Sequence, residues 1–104
     1  MSEKKYIARL SDHCKDGIYD ININNESLLL IRHQRKYYLI KNKCGHFGVP
    51  LNNAHLSDNT IICRQHGISF DLESGFIVNR PYENCDALQV YPLFVEQACL
   101  YAML

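Results

Sequence analysis

The chain has 104 residues, 47% of them apolar, and equal numbers of basic and acidic side chains, eleven of each. That length builds one domain around a modest core and excludes an enzyme with separate cofactor and substrate domains. The apolar content argues against disorder, and the balanced charge argues against a nucleic-acid binder.

The chain opens MSEKKYIARL, with no apolar stretch behind the charges, so no secretory signal is expected. KYIARL (5–10) reads as a first strand, and IYDINI (18–23) alternates apolar and polar residues as a half-buried strand does. NNE turns the chain into SLLLIRH, and QRK turns it again into YYLIKN (37–42). The aliphatic run LLLI (28–31) is far too short to cross a bilayer, so a soluble cytoplasmic protein is expected. Five cysteines in that reducing compartment are not expected to form a disulfide framework.

Within 51–57, LNNAHLS reads as a short helical turn. TIIC (60–63), ISFDL (68–72) and FIV (76–78) read as strands, with a hairpin turn at Glu73-Ser74-Gly75 in which Gly75 takes positive φ. LQVYPLFV (88–95) and ACLYAM (98–103) close the chain, and Pro92 predicts an edge or a bulge. Many short strands with frequent turns predict an all-β, antiparallel sandwich or barrel.

Two stretches carry chemistry. KNKCGHFGVP (41–50) places Cys44 and His46 two apart in a glycine-rich turn. CRQHG (63–67) supplies a second pair, Cys63 and His66. The whole pattern is C-x-H-x16-C-x2-H, and two loops projecting from paired strands would bring the four residues to one point. Zinc accepts two cysteines and two histidines, but its common spacing keeps like ligands together. Mixed pairs suit a two-iron centre in which one iron takes both thiolates and the other both imidazoles. At this stage zinc stays open, as does an inert reading in which the cysteines are small buried hydrophobes.

Around these ligands the sequence resembles the Rieske-type ferredoxins. CGHFGVPL resembles the first cluster loop of that family, CRQHGISFDLESG the second loop and its hairpin, and Pro81 followed by LQVYPLFVEQACLYAML the closing strands. Arg64 departs from the pattern, since many relatives have proline there. The resemblance implies a Rieske-type antiparallel β-sandwich over 1–104 as a single domain, with a small cluster-binding subdomain at about 42–72. It implies one [2Fe-2S] cluster held by Cys44, His46, Cys63 and His66.

The resemblance also implies the kind of centre. Respiratory members carry a disulfide between the loops, where this chain has Val49 and Gln65. They also use a serine and a tyrosine to hydrogen-bond cluster sulfur, where this chain has Ile68 and Phe70. Hydrogen bonds to sulfur raise the potential, so a centre lacking them is expected at the low end, about −150 mV. The implied function is a soluble electron carrier, not an enzyme. It would take one electron from an NAD(P)H-dependent flavin reductase and pass it to a terminal non-haem iron oxygenase of the ring-hydroxylating type. A small subunit of a larger reductase, such as nitrite reductase, is the alternative. His46 and His66 would be the electron exit, with Phe47, Val49, Pro50, Leu51 and Ile68 as candidates for an apolar docking face. Cys99 is expected in a strand core and Cys14 and Cys85 as incidental. His13, His33 and His55 are expected at the surface.

Charge is unevenly spread. Arg32, Arg35, Lys36, Lys41 and Lys43 follow one another with no acid between them, while acids dominate after Ser57. Such a distribution can orient a partner, but a solvated hairpin is the simpler and favoured reading.

Overall fold

A computed structural model describes residues 3–43, 50–64, 67–78 and 87–104. Among the described residues ten strands follow in chain order: β1 (Lys4–Arg9), β2 (Gly17–Ile23), β3 (Glu26–His33), β4 (Lys36–Lys41), β5 (His55–Ser57), β6 (Thr60–Ile62), β7 (Ser69–Asp71), β8 (Val90–Tyr91), β9 (Leu93–Glu96) and β10 (Cys99–Met103). They form three antiparallel sheets, ordered β1-β10-β9, β2-β3-β4-β8 and β5-β6-β7. The architecture is all-β and sandwich-like, as the sequence predicts.

The four-stranded sheet lies in the middle, and its two faces supply two cores. Leu28, Leu30 and Leu39 pack with Ile7, Ala8, Leu100 and Ala102 of the β1-β10-β9 sheet. Leu29, Ile31, Tyr38 and Ile40 pack with Ile61 and Phe70 of the β5-β6-β7 sheet. Successive strand residues point to opposite faces, so a strand covered on both sides must be apolar at every position. This is the physical reason for the uninterrupted LLLI run. In β1 the pairing register shifts between Tyr6 and Ala8, and Ile7 and Ala8 are both buried in consecutive positions.

Tight turns fix the register. Asn24 and Asn25 between β2 and β3, Gln34 and Arg35 between β3 and β4, and Gln97 and Ala98 between β9 and β10 all have positive φ. Two successive left-handed residues make the primed turn whose twist matches the strands it joins. Gly75, at φ +80, closes the turn after β7, where an added Cβ would collide with the Leu88 carbonyl. In that turn Asp71 accepts hydrogen bonds from the Ser74 amide and hydroxyl, both at 2.8 Å, which hold its carboxyl below the ordinary range.

Two expectations are corrected. Residues 51–57 form no helical turn. The Ala54 amide donates to the Leu51 carbonyl at 3.0 Å in a tight turn, and β5 follows. Asn52 is drawn sideways to Asn42 and Asp20, which favours the turn over a helix. FIV is not a strand, since only Ile77 bridges, to Phe70. Pro92 lies at sheet edges, as expected: the chain leaves β8, an edge strand of the middle sheet, after Tyr91 and joins β9, an edge strand of the outer sheet, at Leu93. A residue without an amide proton suits that crossing because it has no ladder bond to lose. Finally, a 3-10 turn at Leu10–His13, unanticipated from sequence, links β1 to β2.

Candidate metal centre

Three of the four expected ligands, Cys44, His46 and His66, lie outside the described residues, as do Phe47, Val49, Gln65 and Cys85. The structure describes the fourth expected ligand, Cys63, and the bases of both loops.

Cys63 directly follows β6 and is 1% exposed. Its amide donates to the Ile68 carbonyl at 2.9 Å, and the Gly67 amide donates to the Cys63 carbonyl at 2.8 Å. These two bonds cinch the loop that contains His66. Gly67 sits at φ +67, while an added Cβ would meet nothing within 4 Å. Glycine is therefore required there for backbone conformation and not for space.

The first loop leaves β4 at Lys41 and returns at Pro50. Asn42 ties its two ends together. Its Oδ1 accepts from the Leu51 amide at 2.6 Å, and its Nδ2 donates to Asn52 Oδ1 at 2.9 Å and to Ser27 Oγ at 3.0 Å. Its own amide donates to the Ser27 carbonyl at 3.0 Å. Asn52 in turn donates to Asp20. One amide side chain thus pins the loop to β2 and β3 through partners far apart in sequence.

Leu51, Cys63 and Ile68 share one core cluster with Leu29, Ile31 and Ile40 of the middle sheet. The return end of the first loop and both ends of the second therefore converge on the same wall. Cys63 lies on the inner, apolar side of that convergence, where a sulfur-ligated iron held by the core would need its thiolate. A thiolate donor there, with a histidine three residues on in the same cinched loop, fits the ligand set of a Rieske cluster.

Other candidates fall away from this point. His55 pairs across from Ile62 and is exposed, on the face of the β5-β6-β7 sheet opposite to the buried Ile61 and Cys63. His33 and His13 are partly buried, His13 packing edge-on against Tyr19 at 4.5 Å. Cys14 is exposed. Cys99 lies in β10 as expected but is only partly buried, on the face opposite to Leu100 and Ala102, so it is no core residue. Leu51 and Ile68 are buried rather than presented for docking, and Pro50 alone of the described candidates is exposed. Ile68 and Phe70 are both fully buried in the wall around Cys63. Among the described residues no helix is long and apolar enough to cross a membrane.

A family model described as the Rieske [2Fe-2S] domain matches residues 4–92. The ferredoxin component of the alkene monooxygenase system of Xanthobacter autotrophicus is 33% identical over 87 residues, covering 82% of this chain and 69% of that protein. Human apoptosis-inducing factor 3 is 25% identical over 93 residues, but the chain spans only 15% of its length. Among solved structures, the Sphingomonas yanoikuyae B1 ferredoxin superposes with a TM-score of 0.83 at 20% identity, covering 98% of this chain and 99% of that one. A chain of the complex of reduced oxygenase and oxidized ferredoxin in carbazole 1,9a-dioxygenase superposes with a TM-score of 0.81 at 22% identity, covering 96% and 92%. At those identities the structural likeness is one of fold. The family match over most of the chain, joined to the buried Cys63 and the two cinched loop bases, shows that this protein belongs to the Rieske [2Fe-2S] domain family.

Proposed function

We propose that this chain is a one-electron carrier, a ferredoxin whose [2Fe-2S] cluster is held by Cys44, His46, Cys63 and His66. It would take its electron from an NAD(P)H-dependent flavin reductase and deliver it to a terminal non-haem iron oxygenase. In this reading residues 1–104 are one domain, and about 42–72 form its cluster-binding part. The observation that carries the proposal is the burial of Cys63 where the two loop bases converge. The printed role of the Xanthobacter relative, a ferredoxin component of a monooxygenase system, supports the choice of an oxygenase as acceptor.

When bound, the cluster supplies reversible one-electron chemistry, and this chain's residues set where and at what potential that occurs. Asn42 and the Cys63–Gly67 bonds fix the loop bases. Leu51, Ile61, Ile68 and Phe70 exclude water from the inner side. Ile68 and Phe70 bring no hydroxyl to that wall, and the Cys63 amide is already committed to the Ile68 carbonyl. Fewer donors to sulfur leave the more negative reduced state less stabilised.

A redox titration of the purified holoprotein tests this reading. The expected result is a single one-electron wave near the bottom of the Rieske range, about −150 mV. A midpoint well above zero would contradict the donor-poor environment, and no reversible wave would contradict electron carriage itself.

A further inference from the structure

The two edges of the β1-β10-β9 sheet differ. β1 is irregular: its register shifts between Tyr6 and Ala8, and it carries Lys4, Lys5 and Arg9. Bulges and basic residues are the usual guards of a strand edge against another chain. β9, the other edge, reads LFVE and pairs without interruption with β10, and on that side only among the described residues. Its Phe94 is 43% exposed and its Val95 60%.

The hairpin fixes which backbone groups of β9 are free. Gln97 and Ala98, both at positive φ, make a two-residue turn, so Glu96 and Cys99 are the closing pair and exchange both amide–carbonyl bonds. Bonding alternates along an antiparallel ladder, so Phe94 and Tyr101 form the next such pair. The far end of β10 agrees. Glu3 and Leu104 exchange both bonds, at 2.8 and 2.9 Å, which turns Leu104 and Ala102 toward β1 and leaves Tyr101 for β9. Leu93 and Val95 therefore direct their amides and carbonyls away from β10, to the open side. Their side chains lie on the inner face, opposite the buried Ala102 and Leu100. A cavity of about 380 Å³ begins at Leu93, lined also by Pro92, Tyr37, Leu72 and Glu73.

We propose that β9 pairs antiparallel with β9 of a second copy of this chain, about a two-fold axis at Phe94, joining two outer sheets into one of six strands. This register sets Leu93 opposite the second copy's Val95, and Val95 opposite its Leu93, so four hydrogen bonds use every free backbone group of both residues. Phe94 faces its own counterpart in the close, non-hydrogen-bonded pair. It extends the row begun by Tyr6 and Tyr101, whose rings meet edge-on at 5.9 Å. On the inner face the second copy's Val95 comes beside Leu93, at the mouth of the cavity. The charges complement this pairing. β8, β9 and β10 hold one charged side chain, Glu96, and the cavity lining one more, Glu73. Each is answered within its own chain, Glu96 by Lys4 at 2.5 Å and Glu73 by Lys36 at 3.8 Å. In the two-fold register Glu96 meets the second copy's Pro92, which has no amide to offer, and the pairing ends there. An edge that complements itself closes as a dimer, whereas β9 on β1 would be open-ended and would meet the register shift and three cations. One four-residue strand per copy is a small contact beside the roughly 800 Å² per partner of stable interfaces, so the association depends on concentration.

Sedimentation equilibrium of the holoprotein over rising concentration tests the pairing. The mass should climb from that of one chain, 12.1 kDa, toward twice that value. A dissociation constant on the order of 0.1 mM suits so small a contact. Val95→Pro removes an amide that β10 does not use, so it should leave the fold intact and weaken association by on the order of tenfold or more. Val95→Lys keeps the backbone, guards the edge with a charge and should weaken association likewise. Tyr6→Lys alters the exposed face of the same sheet away from β9 and should leave association in place. Amide exchange at Leu93 and Val95 should slow as concentration rises, while that at Phe94, already bonded to Tyr101, should not. A monomer at every concentration, or Tyr6→Lys acting as strongly as Val95→Pro, would overturn the pairing. The expected cluster ligands lie elsewhere on the chain, so iron and sulfide content should be the same in every variant.

Discussion

Asn42 shows how much of the site depends on a residue that could never be a ligand. Its side-chain oxygen satisfies the Leu51 amide, and its nitrogen reaches both Ser27 and Asn52. Asn42→Ala removes all three bonds and leaves the Leu51 amide without its acceptor, which costs about 1–3 kcal/mol for a buried group. We expect a lower unfolding midpoint in denaturant and a changed electron paramagnetic resonance spectrum of the reduced protein, because the first loop loses its anchor. Asn42→Asp keeps the acceptor for Leu51 but loses both donations, so it should fall between the two. An Asn42→Ala protein with unaltered stability and spectrum would show that the loop is held by other means. None of this was legible in the sequence. Ser27, Asn52 and Asp20 are distant along the chain, and an asparagine at a strand end is ordinarily read as a turn residue. The two expected ligand pairs, in contrast, rest on residue types and spacing that are local in the sequence.

At the scale of elements, the strands that alternate or fill both faces were readable and the short ones were not. β3 and β4, eight and six residues long, announce themselves through the apolar runs LLLI and YYLI. β5 is three residues, HLS, with no β-branched side chain, and its strand state comes from pairing with β6. FIV has the composition of a strand, but its two bonds to β7, at Phe76 and Val78, make a single bridge centred on Ile77 and leave the Phe76 and Val78 side chains exposed. Local preference was overridden by partner geometry in both cases. The hairpin after β7 was readable because Gly75 has a local cause, positive φ, although its second constraint is not local. Gly75 also donates to the Asp71 carbonyl at 2.7 Å, and its carbonyl accepts from Leu88 at 2.8 Å. Gly75→Ala would meet both the left-handed backbone and the Leu88 carbonyl. Destabilisation of about 1–3 kcal/mol is expected, on the scale of overpacking a tight site. Equilibrium denaturation measures it, and a change below about 0.5 kcal/mol, within the range of an ordinary surface substitution, would contradict the close approach.

At the scale of the molecule, the middle sheet is covered on one face by the β1-β10-β9 sheet and on the other by the β5-β6-β7 sheet. The second arrangement matters for function, because the β5-β6-β7 sheet carries Cys63 at the end of β6 and the next loop leads back into β7. A wall of Leu29, Ile31 and Ile40 therefore lies behind the bases of both loops. The run of cations from Arg32 to Lys43 was visible in the sequence, but the partners of its members were not. Arg32 and Lys36 turn out to face acids, and only the structure separates them from Lys43 and Arg64.

The most direct measurement is the iron, zinc and acid-labile sulfide content of the anaerobically purified chain, read beside its visible absorption. A Rieske [2Fe-2S] domain requires two irons and two sulfides per chain and a coloured protein. One zinc per chain, or no metal, in a colourless protein would contradict it.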